Sequence, residues 1–258
     1  MFWGDLLKLL LKISYLGTNY CGYQVQPNGI SIQQKLNEAT LAAFGVACDI
    51  VGCSRTDSGV HANEFCATVA QKGTDFLETA IPVERIPLAL SNYLPPDICV
   101  FDAKWVEGSF HARYDVKEKE YLYRMYNRAV RDPFEEGRSA HVPKLLRDED
   151  IQAMNLAAAT LCGTQDFAAY MAQGSSVKST VRTVTRAEVY REGDCVIFRV
   201  AANGFLYNMV RILAGTLLSV GQGKLKPADL PIITASKDRS KAGNTMPACG
   251  LYLHRVIY

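Results

Sequence analysis

Apolar positions fall along the chain in short alternating or continuous runs, separated by polar, glycine-bearing breaks. Lys8 to Tyr15 is a strand-length apolar run ending in a turn that contains Gly17. Ser31-Ile32-Gln33-Gln34 reads as a capping box, with Ser31 as N-cap and Gln34 reaching back to it. The helix it opens carries Ile32, Leu36, Ala39 and Ala43 on one face, and Gly45 stops it. Val46 to Cys53 and Glu64 to Gln71 read as strands, Glu84 to Tyr93 as a weaker helix closed by Pro95-Pro96, and Ile98 to Trp105 as a strand. The order is β-α-β-β-α-β.

The second half repeats that order. Lys119 to Asn127 is a strand that alternates Tyr121 and Tyr123 with Leu122 and Arg124. Asp148 is the expected cap of a helix whose first turn holds Glu149 and Asp150 and whose apolar face is Ile151, Met154, Ala158 and Leu161. Arg182 to Tyr190 and Asp194 to Ala201 pair as strands around Glu192-Gly193. Phe205 to Val220 reads as a helix ending at Gly221, and Gly250 to Tyr258 as a closing strand. Two such units predict an α+β (mixed α/β) chain built from two RRM-like, ferredoxin-like halves, residues 1–108 and 109–258. Set side by side they would enclose a central cleft, the kind of place where ligands bind.

Composition narrows the class. With 258 residues, 48% of them hydrophobic, the chain can bury a true core, and neither disorder nor a fibrous repeat fits. No run approaches ~18 uninterrupted apolar residues, so no membrane-spanning segment is expected. The start, Met1 to Lys12, resembles a signal peptide, yet Asp5, Lys8 and Lys12 interrupt it and no small-residue cleavage site follows. A cytoplasmic protein is expected. Cys21, Cys48, Cys53, Cys66, Cys99, Cys162, Cys195 and Cys249 form no Cys-x-x-Cys pair, and His61, His111, His141 and His254 lie far apart, so no metal is expected. Apolar neighbours around Cys66, Cys99 and Cys195 suggest small buried hydrophobes in a reducing compartment.

The formal net charge is only +2. Basic residues nevertheless gather as Arg211, Lys224, Lys226, Lys237, Arg239 and Lys241, and as Lys178, Arg182, Arg186 and Arg191. Such clusters are either solvated faces or lanes for a phosphate backbone.

The chemistry-bearing loop is Arg55-Thr56-Asp57-Ser58-Gly59-Val60-His61-Ala62, between the second and third strands. A short polar run between apolar strands lies at the surface or at a cleft mouth. Asp57 stands at its tip among small residues. Taken alone, Thr-Asp-Ser-Gly reads as a plain turn whose Asp bonds its own backbone, and only the longer string shifts that reading.

The longer string resembles the signature of the TruA family of tRNA pseudouridine synthases, Arg-Thr-Asp-x-Gly-Val-His-Ala. The similarity extends to Tyr15-Leu16-Gly17-Thr18-Asn19-Tyr20-Cys21-Gly22-Tyr23-Gln24-Val25-Gln26, to Asn92-Tyr93-Leu94-Pro95-Pro96-Asp97-Ile98, to Phe110-His111-Ala112-Arg113 and to Tyr121-Leu122-Tyr123. It continues through Asn203-Gly204-Phe205-Leu206-Tyr207-Asn208-Met209-Val210-Arg211, Lys237-Asp238-Arg239 and Gly250-Leu251-Tyr252-Leu253.

This resemblance implies an isomerase that cleaves the N-glycosidic bond of a tRNA uridine, rotates the uracil and rejoins it through carbon 5, without cofactor or metal. Asp57 would be the catalytic carboxylate, forming or stabilising a covalent intermediate. Arg211 would keep that carboxylate ionised, because burial alone favours its neutral form. Tyr121 would stack on the flipped uracil, and its hydroxyl could take the carbon-5 proton. Arg55 would fill the gap left by the base, since a guanidinium both stacks and grips phosphate. The family acts as homodimers on tRNA nucleotides 38, 39 and 40. Ser54, Leu16 and Tyr23 depart from the family's Gly, Asp and Trp. The alternatives are a paralogue with a shifted RNA target and a non-catalytic RRM-like RNA-binding protein; an RNP string argues for the latter, and neither half contains one. An aspartate-dependent hydrolase would need a second carboxylate or base beside Asp57, which the local sequence does not offer.

Overall fold

Period-2 burial sets the first sheet. Along β1 (Leu7–Tyr15), Leu9, Leu11, Ile13 and Tyr15 point into one buried face. β3 (His61–Gln71) runs antiparallel beside it, with Leu9 opposite Val69 and Ile13 opposite Phe65. β4 (Ile98–Glu107) pairs with the other edge of β1, and β2 (Cys48–Gly52) with β3, giving the order β4-β1-β3-β2. Helix α1 (Ile32–Phe44) buries Ile32, Leu36 and Ala39, and α2 (Ile86–Ser91) buries Ile86 and Leu90. Residues 7–27, 29–174 and 177–258 are described in this computed structural model; Met1 to Leu6 of the apolar start lie outside them.

The second unit builds a similar sheet. β5 (Glu118–Tyr126) pairs antiparallel with β9 (Cys195–Ala202), which pairs with β8 (Val181–Glu192), which pairs with β7 (Gly163–Asp166). The short β6 (Ala140–His141) lies parallel to β5. Helix α3 (Asp148–Ala159) packs on β8, and α4 (Met209–Gly221) is its neighbour. Helix α5 (Asp229–Ser236) follows, and β10 (Leu251–Ile257) ends the chain. Residue contacts divide the chain into Met1–Lys117 with Leu253–Tyr258, and Glu118–Tyr252. The α+β class is the expected one.

Four local expectations change. Ser31 does cap α1, accepting from the Gln34 N–H at 3.2 Å, but the Gln34 side chain bonds forward to Glu38 at 3.0 Å rather than back to the cap. Asp148 is the first residue of α3, not its cap. Asp150 instead accepts the Arg147 N–H at 2.8 Å and closes the helix entry. The weaker helix breaks into a 3-10 turn, Val83–Arg85, and α2, because Pro87 has no N–H to donate back to the Val83 carbonyl. Finally, Phe205 to Asn208 is not helical: α4 starts at Met209 after a left-handed Asn208. Cys53, Cys66 and Cys195 are buried as small hydrophobes, whereas Cys99 and Cys162 are exposed. Among the described residues, no helix is long and apolar enough to cross a membrane.

Candidate active site

In the first unit, the loop from Cys53 to His61 is fixed by backbone and side-chain hydrogen bonds on both of its arms. At its base, Cys53 N–H bonds the Cys66 carbonyl at 2.8 Å, and the Cys53 sulfur accepts the Cys66 N–H at 3.4 Å. Burial pushes the Cys66 thiol up to about 12, which keeps it protonated and inert. Beyond the base, Thr56 is buried, its hydroxyl meets Tyr15 Oη at 2.8 Å, and its carbonyl accepts the Tyr23 N–H at 3.1 Å. Ser58 Oγ donates to the Tyr20 carbonyl at 3.1 Å, and Val60 N–H turns back to the Asp57 carbonyl at 3.1 Å. Asp57 is thereby presented, half-buried, at the head of a turn whose both arms are anchored.

The opening segment, Tyr15 to Gln26, is the other jaw of that clamp. Gly22 has φ +105°, and a Cβ there would stand 2.6 Å from the Thr56 carbonyl oxygen, so only glycine lets the two backbones meet. Gly17 N–H donates to His61 Nδ1 at 2.9 Å, which places the proton of this buried ring on Nε2. Tyr20 donates to Asp97 Oδ1 at 2.5 Å, and Asp97 also accepts the Leu16 N–H through its carbonyl at 2.9 Å. Burial first, and then Asp97, push the Tyr20 hydroxyl above its ordinary range. Tyr20, His61 and Asp97 are thus supports of the loop that chemistry-based reading of the sequence passed over. Their signal lay only in the motif strings around them.

The departures fit this frame. Ser54 has no left-handed backbone and therefore needs no glycine. Tyr23 stacks on Phe65 with ring centroids 4.2 Å apart. Arg55 extends into solvent from the same loop as Asp57.

In the second unit, Tyr121 lies on β5 with 7% of its surface exposed and meets Phe205 edge-on at 5.0 Å, an arrangement favoured by the ring quadrupoles. Phe205 belongs to the segment that leads into α4, so one contact fixes both. Tyr123, on the same face of the strand, is fully buried and donates to the Pro247 carbonyl at 2.7 Å, a core role.

Arg211 occupies the third position of α4, in its first turn, which contains no acidic residue. A cation there opposes the positive end of the helix dipole by about 0.3–1 kcal/mol. The side chain is held nonetheless: Nε donates to the Met246 carbonyl at 2.7 Å and Nη1 to Asn208 Oδ1 at 2.8 Å. Two fixed acceptors thus hold the cation at an electrostatically poor position.

The two basic clusters are thinner than their sequence suggests. Arg186 and Arg199 both pair with the buried Glu120, at 3.6 and 2.9 Å. Arg191 donates to the Leu146 carbonyl at 2.6 Å, and Lys237 pairs with Asp166 at 2.8 Å. Lys178, Lys224, Lys226 and Lys241 are exposed.

Asp57 and Arg55 therefore share one loop of the first unit, and Tyr121 and Arg211 belong to the second. A family model described as tRNA pseudouridine synthase matches residues 157–258. A tRNA pseudouridine synthase A from Thermoanaerobacter sp. (strain X514) is 44% identical over 250 residues, which cover 97% of this chain and 99% of that protein. Its namesake from Caldicellulosiruptor saccharolyticus is 42% identical over 250 residues, with the same coverage. The one from Halalkalibacterium halodurans is 42% identical over 243 residues, 93% of this chain and 89% of its own. Identity at this level, over nearly the full length of both chains, means that the chain belongs to the tRNA pseudouridine synthase family.

Proposed function

We propose that this protein isomerises uridine to pseudouridine in the anticodon arm of tRNA, at nucleotides 38, 39 and 40, with Asp57 as the catalytic carboxylate. The observation that carries the reading is the rigid presentation of Asp57 by a loop anchored on both arms, in a chain 44% identical to a tRNA pseudouridine synthase A. The reaction breaks the bond between N1 and C1′, turns the uracil, and forms a bond between C5 and C1′. The proton lost from carbon 5 is balanced by the one gained at N1, so no redox partner or metal enters. Asp57 attacks the base or the sugar, or draws a proton from the sugar; each route requires it ionised, and Arg211 supplies the positive charge for that.

Extruding a nucleotide costs a few kcal/mol, and a stacking ring returns about 1–3 kcal/mol per base. Tyr121 is that ring in this reading, and its hydroxyl receives the carbon-5 proton. Arg55 extends from the loop to occupy the vacated stack. In this reading residues 1–108 and 109–258 are two RRM-like halves, the first contributing Asp57 and Arg55 and the second Tyr121 and Arg211, and two copies of the chain hold one tRNA, in the cytoplasm. The exposed lysines 178, 224, 226 and 241 contact its phosphates.

The test uses unmodified tRNA carrying tritium at uridine carbon 5. Wild-type protein should release tritium, and Asp57→Ala should release none while still binding the transcript. Transcripts with a single uridine at 38, 39 or 40 report the target. Release from some other position would point to a shifted RNA target, and binding without release from any transcript would point to a passive RNA-binding protein.

A further inference from the structure

Arg211 sits in a purpose-built cradle, and the residue that shapes it is Asn208. Asparagine is among the best N-cap residues, and at that position it normally adopts an extended backbone and accepts from an N–H of the first turn. Asn208 does neither. Its φ is +59°, and its side chain makes no capping bond; Oδ1 accepts from Arg211 Nη1 at 2.8 Å instead. The only other non-glycine residue with positive φ among the described residues, Lys237, closes the end of α5, where the left-handed conformation is routine. At a helix start it has no such excuse, and strain of this kind concentrates where function fixes a geometry.

The opposite wall is the segment Ala242 to Pro247. Gly243 N–H donates to Thr216 Oγ1 at 2.8 Å, and that hydroxyl donates on to the Ile212 carbonyl at 2.8 Å. Arg239 holds Thr245 at 3.2 Å, and Tyr123 holds the Pro247 carbonyl at 2.7 Å. Between these pins, the Met246 carbonyl takes Arg211 Nε, while Met246 N–H returns to the Arg211 carbonyl at 3.2 Å. The guanidinium plane is thereby set by two acceptors that are themselves immobilised.

We propose that Asn208 is a positioning residue: its left-handed backbone and its amide oxygen, with the pinned Met246 carbonyl, aim the Arg211 guanidinium for the isomerisation. This rests on the functional reading above. A group that only capped or ordered α4 would affect folding and leave the chemical step alone; a positioning group affects the chemical step.

The experiment compares Asn208→Gly, which accepts the φ but has no acceptor, with Asn208→Asp, which keeps an acceptor and tolerates the same backbone. Single-turnover pseudouridine formation, tRNA affinity and Tm are measured on the full chain. The expected result is a drop of about tenfold or more in the single-turnover rate for Asn208→Gly, with affinity within twofold of wild type, and restoration to within about threefold by Asn208→Asp. Wild-type rates in Asn208→Gly, or equal losses in both variants, overturn the proposal. Should Asn208→Gly fail to fold, Thr216→Val, which frees Gly243 and so the Met246 wall, decides: a slowed rate at unchanged affinity supports the cradle, and an unchanged rate overturns it. Wild-type protein that forms no pseudouridine on any transcript defeats the functional reading itself, a separate result.

Discussion

The Tyr23 hydroxyl is fully enclosed and meets no hydrogen-bond partner among the described residues, although its ring is stacked on Phe65. Burial accordingly pushes the hydroxyl well above its ordinary range. A buried polar group without a partner costs about 1–3 kcal/mol, while the stacked ring alone retains its apolar packing. Tyr23→Phe should therefore raise the unfolding free energy by about 1 kcal/mol in urea titrations, and a loss of stability would show that the hydroxyl has a use the fold conceals. The position also shows what a sequence can and cannot disclose about single residues. The surface placement of the Asp57 loop was legible because a polar string between two apolar strands has few places to go, whereas the residue itself stood out only through the longer motif around it. The lack of a partner for Tyr23 was not, because satisfaction of a hydroxyl depends on what the rest of the chain brings to it. Asp97 was hidden for the same reason: only the fold carries it to Tyr20.

At the scale of elements, α4 and the segment after α5 act as one piece. A Cβ on Gly215 would lie 2.0 Å from the Asn244 carbonyl oxygen, and one on Gly243 would lie 2.5 Å from the Thr216 nitrogen. Neither neighbour is a flexible side chain, so Gly215→Ala must push the segment off the helix. It should destabilise the protein by about 1–3 kcal/mol, the usual range for overpacking, and slow the reaction through the displaced Met246 carbonyl. Thermal unfolding and single-turnover rates check the two effects; a variant as stable and as fast as wild type would contradict the clasp. Strands such as β1, β3, β5 and β9 were legible because alternation between two faces is a direct imprint of burial. The start of α4 was not, since Phe205 and Leu206 continue its apolar pattern while Asn208 breaks the backbone. β7 and α5 are short, and nothing in their composition separates them from loops.

For the whole molecule, the asymmetry between its acid and alkaline behaviour follows from which groups are buried. The carboxyls held low by partners, including Asp150, Asp166 and Asp238, are near the surface, where solvent and salt screen the effect. Their stabilising contribution is present above the unfolded carboxylate range and is lost as pH falls, but only shallowly. Most of the groups held high are buried, and the rest are half-buried. Burial raises Cys48, Cys66, Cys195 and Cys249 above their ordinary 9.0 and Tyr20, Tyr23, Tyr123, Tyr170 and Tyr258 above 10.0, and it pushes Tyr252 up to about 12. In the unfolded chain these thiols and phenols release their protons at their ordinary values, while the folded chain still holds them. The unfolded state then binds fewer protons, so the unfolding free energy falls as pH rises. Each of the deeply buried groups, Cys66, Tyr23, Tyr123, Tyr170 and Tyr252, contributes roughly 1.4 kcal/mol of loss per pH unit once the unfolded group has ionised. Cys48, Cys195, Cys249, Tyr20 and Tyr258 lie nearer to water and contribute less, because solvent screens them. Against a typical total of about 5–15 kcal/mol, several such groups acting together are decisive. Stability in urea should hold between pH 7 and 8.5, decline from about pH 9 as the thiols contribute, and collapse above about pH 10. Tyrosinate absorbance should rise in step with unfolding rather than ahead of it. A flat stability profile through pH 11, or tyrosine ionisation in the intact fold near pH 10, would mean that these phenols lie closer to water than the burial of their side chains indicates.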